Sequence, residues 1–388
     1  MTITSTNFTD ISYVEETVPG QTPATPAFQL LPTTGGTPMG NISTAVSEAI
    51  RSDRQIDDLV IVDADINGPV NYELSYEPFK PMIEALCQSA AVVVAISATD
   101  ISADSIGDTF DSTTTNFVTE GIVVGNYVRV AGFTEAANNG IFKVLSVAAG
   151  SIGVDGTLTT EAAGDTVTMN ASTIRNGAAT PKSFTFLKRV LGIATPAYFY
   201  YRGCQVAEMN FNFETGTILA GSFQVVGFTE DVTESGIAGQ SFVPVPAYSL
   251  MNSVSSIASI DLGRLPATTK FSNLNIAVNN NVNAAKAIGT LGAVDLASFT
   301  LDVTADLSIY FEDITLYNLY KNATSFSAAL VLVDGLGNNI IVYLPKCKFE
   351  SLDSPIDGKD NFFMLNGSLR ALRDDTTNMT FQFTHIAA

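Results

Sequence analysis

The strongest invitation to chemistry in this sequence is Asp63-Ala-Asp-Ile-Asn-Gly68. It sets oxygen donors at positions one, three and five and a glycine at six, as the first half of a calcium loop does. A complete loop requires a bidentate glutamate at position twelve. Leu74 stands there instead, Glu73 comes one place early, and the preceding Leu59-Val-Ile-Val62 has the β-branched character of a strand where the motif needs a helix. The segment is read as an acidic turn, and no metal is assigned. Nucleophilic catalysis lacks a well-placed base, because the single histidine, His385, lies near the end of 388 residues and is read as an exposed strand-end residue. Neither a GxxxxGK[ST] loop nor a strand followed by GxGxxG occurs, so no nucleotide cofactor is called for. Cys87, Cys204 and Cys347 are odd in number and far apart, which suggests neither a disulfide framework nor a CxxC metal site. Asp57-Asp58, Glu230-Asp231 and Asp374-Asp375 sit in loop-like contexts. They leave an acidic β-rich hydrolase with a carboxylate pair as one alternative, without selecting it.

Charge narrows the field further. There are 39 Asp and Glu against 19 Lys and Arg, a formal net charge of −20, on a chain that is 46% hydrophobic. Such a chain has ample material for a core, so its charge belongs on surfaces. Those surfaces repel phosphate backbones, which excludes ordinary nucleic-acid gripping by displaced counterions. The one basic cluster, Lys182 with Lys188 and Arg189, is read as an interface or surface patch. No apolar run approaches the roughly 20 residues of a membrane helix. The opening MTITSTNFTD has neither the basic nor the apolar region of a secretory leader, so the chain is expected to stay in the cytoplasm where it is made.

The elements behind these residues are mostly strands. Pro19 to Gly40 is rich in Pro, Thr and Gly, and residues 1–40 are expected to form an arm or long loop. Leu59–Val62 reads as a strand, Asn67-Gly-Pro69 as a turn, and Val70–Leu74 as a second strand. Phe79, Met82, Ile83 and Leu86 recur at helical spacing, with prolines confined to the opening turns. Residues 100–172 change texture. They are rich in Thr, Gly, Asp and Ala, with short β-prone runs and nine acids against Arg129 and Lys143, a net of −7. They are read as a small all-β insert in a discontinuous domain of residues 41–99 plus 173–388. The remainder alternates as strands do from Ser183 to Thr384. Hairpin turns fall at Glu214–Thr217 and Asp334–Asn338, and a second helix is expected around Ile314, Leu316, Tyr317 and Tyr320.

The order of these segments resembles the tail tube proteins of long-tailed bacteriophages. The resemblance rests on Arg51-Ser-Asp-Arg-Gln-Ile-Asp-Asp58 and on the Asn-Tyr-Glu-Leu-Ser-Tyr76 strand running into the Phe79–Leu86 helix. It continues in Val206–Phe213, Ser222–Phe228, Leu274–Asn280, Tyr310–Asp313 and Leu344–Lys348. The insert, with Gly132–Gly140 ahead of the Phe142–Val147 strand, is similar to small β domains appended to phage tail proteins. The resemblance implies a mainly β sandwich or barrel with flanking helices. Six copies would join sheets into a ring with a closed inner barrel, and rings would stack into a tube for genome delivery. It implies a structural virion protein and no enzyme, assembled in the host cytoplasm, with no cofactor and no membrane insertion. The implied partners are its own copies, tape-measure, tail-tip and tail-terminator proteins, and phage DNA that passes without specific binding. Residues 41–58 would reach a neighbouring ring, with Arg51, Asp53, Arg54, Asp57 and Asp58 as the ring-stacking loop. The acids of the body, and not those of the insert, are expected to line the channel. A virion decoration or adhesion protein is the other structural alternative.

Overall fold

The computed structural model describes residues 3–177, 179–263, 269–356 and 358–388. Ten strands make the main sheet: β1 (Met39–Val46), β2 (Leu59–Glu73), β3 (Ala197–Glu214), β4 (Ala220–Gly227), β5 (Ile257–Asp261), β6 (Phe271–Asn279), β7 (Asp302–Tyr310), β8 (Phe326–Val333), β9 (Asn339–Asp353) and β10 (Met364–Ala371). Their order is β1-β2-β4-β3-β6-β7-β10-β9-β8-β5, antiparallel throughout. Two-residue alternation explains why these segments pair as they do. In β7, Val303, Ala305, Leu307 and Ile309 are buried while Asp302, Thr304, Asp306 and Ser308 face away. A slip of one residue would put carboxylates into the core, so the register is strongly specified.

Two α-helices occur among the described residues, α1 (Lys80–Cys87) and α2 (Thr315–Lys321). Helix α1 buries Met82, Ile83 and Leu86, and Phe79 at its N-cap stacks 4.5 Å from the Tyr72 ring. Gln88 ends it in a left-handed conformation, with its N–H turned back to the Glu84 and Ala85 carbonyls. Of the expected Ile314, Leu316, Tyr317 and Tyr320, helix α2 buries Leu316 and packs Tyr320 half-buried on the core, adds Leu319, and leaves Ile314 and Tyr317 exposed. Ile314 is the N-cap, and the i, i+3 pair Leu316 and Leu319, with Tyr320 beside it, turns toward the core.

A side layer packs on the first half of β3. Residues 1–40, expected as an arm or long loop, contribute to it. Thr9–Glu16 pairs along its whole length with Ser183–Val190, which in turn pairs with β3. Ile11 and Tyr13 alternate into the core, and the Tyr13 ring meets Phe184 edge-on at 5.6 Å. Met1 and Thr2 lie outside the described residues. Asn67-Gly-Pro69, expected to turn, instead continues the fifteen-residue β2. Gly36 and Gly68 let the neighbouring backbone come close at this point, because a Cβ on either would lie 2.4–2.5 Å from a carbonyl oxygen.

Apolar residues between Val94 and Ala171 form a cluster of their own, with Phe110, Phe117, Val128, Phe142, Ile152 and Met169 fully or nearly buried. The Val167–Arg175 strand links this cluster to the main sheet. Its earlier residues pair with Val92–Ala98, and Ser172–Arg175 pair with Gln382–His385. Tyr127 packs on Ile341, Tyr343, Met379 and Ile386, and Arg129 donates to the carbonyls of Gly337 and Ala387.

Candidate functional site

Two surfaces stand out once the sheet is in place. The first is the solvent face of β2, β3, β4, β6, β7, β9 and β10, where alternation turns one polar side chain outward per two residues. Register aligns them in rows across the strands. Asn212, Asn275, Asp306, Ser368 and Ser351 form one row, and Glu214, Asn273, Ser308, Asn366 and Asp353 form the next. A third begins at Asn71 and passes through Ser222, Asn210, Ala277 and Thr304 to the two cations Arg370 and Lys348. A groove of about 460 Å³ lies over the centre of this field, lined by Asn275, Asp306, Ser308, Ser351, Asn366 and Ser368. Amides and hydroxyls dominate. Carboxylates are spaced among them, and Glu208 accepts from the amides of Asn210 and Asn279. The one guanidinium here, Arg370, is occupied by Asp302 at 2.6 Å and Glu350 at 3.2 Å.

The second surface is the ribbon of β1 and the first half of β2, which runs past the end of β4. Leu59, Val60, Ile61 and Val62 are consecutive and all exposed. Adjacent strand residues point to opposite faces, so both faces of this ribbon stand in solvent. At the tip, Ile50 is fully exposed and Ile56 is 74% exposed. The structure brings Arg51, Asp53 and Asp57 together: Arg51 donates to Asp53 at 2.9 Å and also to Asp57. The two carboxylates hold the Arg51 guanidinium pKa above its usual value, and Arg51 in turn lowers that of Asp53. Asp58 turns inward on the backbone, accepting the Leu59 N–H, while its carbonyl accepts the Ser47 N–H and closes the ribbon. Arg54 has φ 60° and, among the described residues, no side-chain partner.

Beside the ribbon stands a separate two-stranded hairpin, Val282–Lys286 with Ala293–Ser298. Lys286 reaches from it to Asp63 and, at 2.7 Å, to Asp65. The acids of the half calcium loop thus lie in a strand and serve as ion-pair partners, which corrects the acidic-turn reading. The carboxylate of Asp63 is shifted down chiefly by this lysine. Nothing in the spacing of 63, 65 and 286 announces that contact, because it depends on how two hairpins dock.

Other sequence candidates are absorbed by the fold. His385 is 2% exposed in the Gln382–Ile386 strand, which is paired on both sides, and its ring lies 5.2 Å from Tyr76 and 4.9 Å from Phe383. It is therefore no strand-end residue on a loose tail. Lys182 bonds Glu84, Arg189 bonds Asp10 and stacks on Phe242, and Lys188 lies over Phe199, so the basic cluster is spent within the molecule. Among the described residues, no group of three or more His, Cys, Asp or Glu could hold a metal ion. No described helix is long and apolar enough to cross a membrane. Compared with known proteins, the chain matches the family model described as phage tail tube protein over residues 7–360. No curated protein matches it.

Proposed function

The chain belongs to the phage tail tube protein family, and from that premise we propose that copies of it close into rings, six to a ring, which stack into the channel of the tail. Family membership makes it a structural component of the virion tail, with a non-enzymatic role. The observation that supports a channel is the polar face. An unbroken run of seven neighbouring strands presents Asn, Ser, Thr and spaced carboxylates, with Arg370 and Lys348 among them, on one side and core on the other. Turned toward a lumen, that face offers DNA phosphates an Arg370 already held by Asp302 and Glu350, the Lys348 ammonium beside it, and a moderate density of negative charge. The genome slides past a face on which carboxylates outnumber these two cations, so it is not gripped.

Among the described residues, two strand edges have no partner at the borders of this sheet, β1 on one side and β5 on the other. Joining the edges of successive copies removes a hazard that an open β-sheet otherwise carries. The ribbon tip around Arg51 reaches the next ring, its loop shaped by the Arg51, Asp53 and Asp57 contacts, and apolar residues on both ribbon faces become covered. The region of the Val94–Ala171 cluster points away from the lumen, since a body of that size would block the passage. Tape-measure, tail-tip and tail-terminator proteins complete the assembly. The test is electron microscopy of the concentrated full-length protein. Stacked rings with an axial channel are expected, and a protein that stays monomeric at every concentration and salt condition overturns the reading.

A further inference from the structure

Register fixes which residues share an end of the main sheet. Ile66, Gly227, Gln205, Asn279, Asp302 and Arg370 lie toward one end; Glu73, Ala220, Glu214, Asn273, Ile309 and Met364 lie toward the other. The ribbon with Ile50 and Ile56 leaves the first end, since β2 continues there from Ile66 back to Leu59. At the second end, the chain leaving β7 and the chain entering β10 meet. Phe311 donates its N–H to the Phe363 carbonyl at 3.0 Å, its ring meets Phe363 at 5.2 Å, and Phe362 meets Tyr310 at 5.5 Å. Phe362 is 78% exposed, and Ile314, Tyr317, Phe363 and Phe311 are exposed around it. Large aromatic side chains gathered and left in water mark a covered surface in the working assembly.

We infer that this aromatic collar is the acceptor for the ribbon tip of a second copy of the same chain. The inference rests on the stacking reading above and adds its receiving surface. Three observations favour a second copy as the occupant. The two apolar surfaces stand at opposite ends of one sheet, so copies placed end to end bring them face to face. A polar contact is available at the junction: the tip as a whole is net acidic, with Arg51 and Arg54 against Glu48, Asp53, Asp57 and Asp58, but Arg54 has no side-chain partner among the described residues, and the collar carries Glu312 and Asp313, which have no ion-pair partner among the described residues. Finally, different patches on one chain that fit each other make a heterologous contact, which propagates without limit along an axis, as stacked rings require.

The experiment uses the full-length chain, whose native cysteines are all buried and so stay silent toward thiol cross-linkers. Ile50→Cys and Phe362→Cys are made as separate proteins at exposed positions. Mixed under tube-forming conditions with a short bismaleimide, they are expected to give a cross-linked dimer that neither gives alone. Phe362→Glu is expected to lower the yield of tubes at least about tenfold while circular dichroism stays unchanged. Arg54→Glu and Glu312→Arg should each weaken stacking, and their combination should restore it. Tubes that form with Phe362→Glu as they do with the parent chain, or an Ile50→Cys protein that cross-links only to itself, overturn the collar alone. Failure of the parent chain to form any stacked assembly removes the stacking reading and the collar with it.

Discussion

His385 shows how misleading position along the chain can be. The sequence places it near the terminus, yet the Gln382–Ile386 strand is inserted between two others, and burial pushes the imidazole pKa down to about 3, aided by Lys80. The folded state therefore keeps it neutral where the unfolded chain, near 6.5, takes a proton. Stability from this group is complete above pH 6.5 and falls as pH drops from there toward 3, by roughly 1.4 kcal/mol per unit. Urea midpoints measured at pH 7, 6 and 5 should decline less steeply in His385→Phe than in the parent, and equal slopes count against the assignment. Lys286 makes a second case. Lys286→Gln is expected to speed amide exchange over residues 59–65, and 0.5 M salt should do the same to the parent chain, because an exposed ion pair is screened. Unchanged exchange in both experiments rejects the clamp. The sequence suggested neither a disulfide framework nor a CxxC metal site for the cysteines; all three are buried, and burial keeps the Cys87 and Cys347 thiols up near 12.

Periodicity made the body strands and α1 readable, because Phe79, Met82, Ile83 and Leu86 satisfy the 3.6-residue repeat with every member buried. Phe79→Ala should cost about 3–5 kcal/mol in chemical denaturation, as it empties the space between helix and sheet. Where strands were missed, local turn chemistry was outvoted by a partner strand. Asn67-Gly-Pro69 looks like a turn, but β4 pairs through it, with Pro69 opposite Gln224 and Gly68 opposite Val225. Gly68→Ala, whose Cβ would sit 2.5 Å from the Thr37 carbonyl oxygen, should lower stability by about 1–3 kcal/mol, whereas Gly216→Ala, with open space around it, should cost less despite its positive φ. The Val282–Ser298 hairpin gave no clear signal. It is short, partly exposed and weakly alternating, so its strands differ little from loop sequence.

The mainly β class and the tail tube family were legible in the order of segments along the chain. The polar face was not, because a row such as Asn212, Asn275, Asp306, Ser368 and Ser351 exists only through register between strands distant in sequence. It also changes what the −20 charge means, since amides and hydroxyls outnumber carboxylates on the face proposed to meet DNA. Asn275→Lys with Ser368→Lys, introduced into the virion, should slow genome ejection and make it more salt-dependent without altering tube length. Ejection at the parental rate would argue that this face does not meet DNA. The region between Val94 and Ala171 is no loose appendage in its contacts, as it covers Ile341, Tyr343, Met379 and Ile386. Removing residues 100–172 should therefore give aggregated protein, and adding Ile341→Thr and Tyr343→Thr should recover solubility. The two ends of the main sheet, one drawn out into an aliphatic ribbon and the other closed by aromatic rings, have a last consequence. A polymer of such subunits has a direction: its growing tips are chemically unlike, each addable or cappable only by a molecule cut to that tip, so length can be set at one terminus while the opposite terminus is anchored.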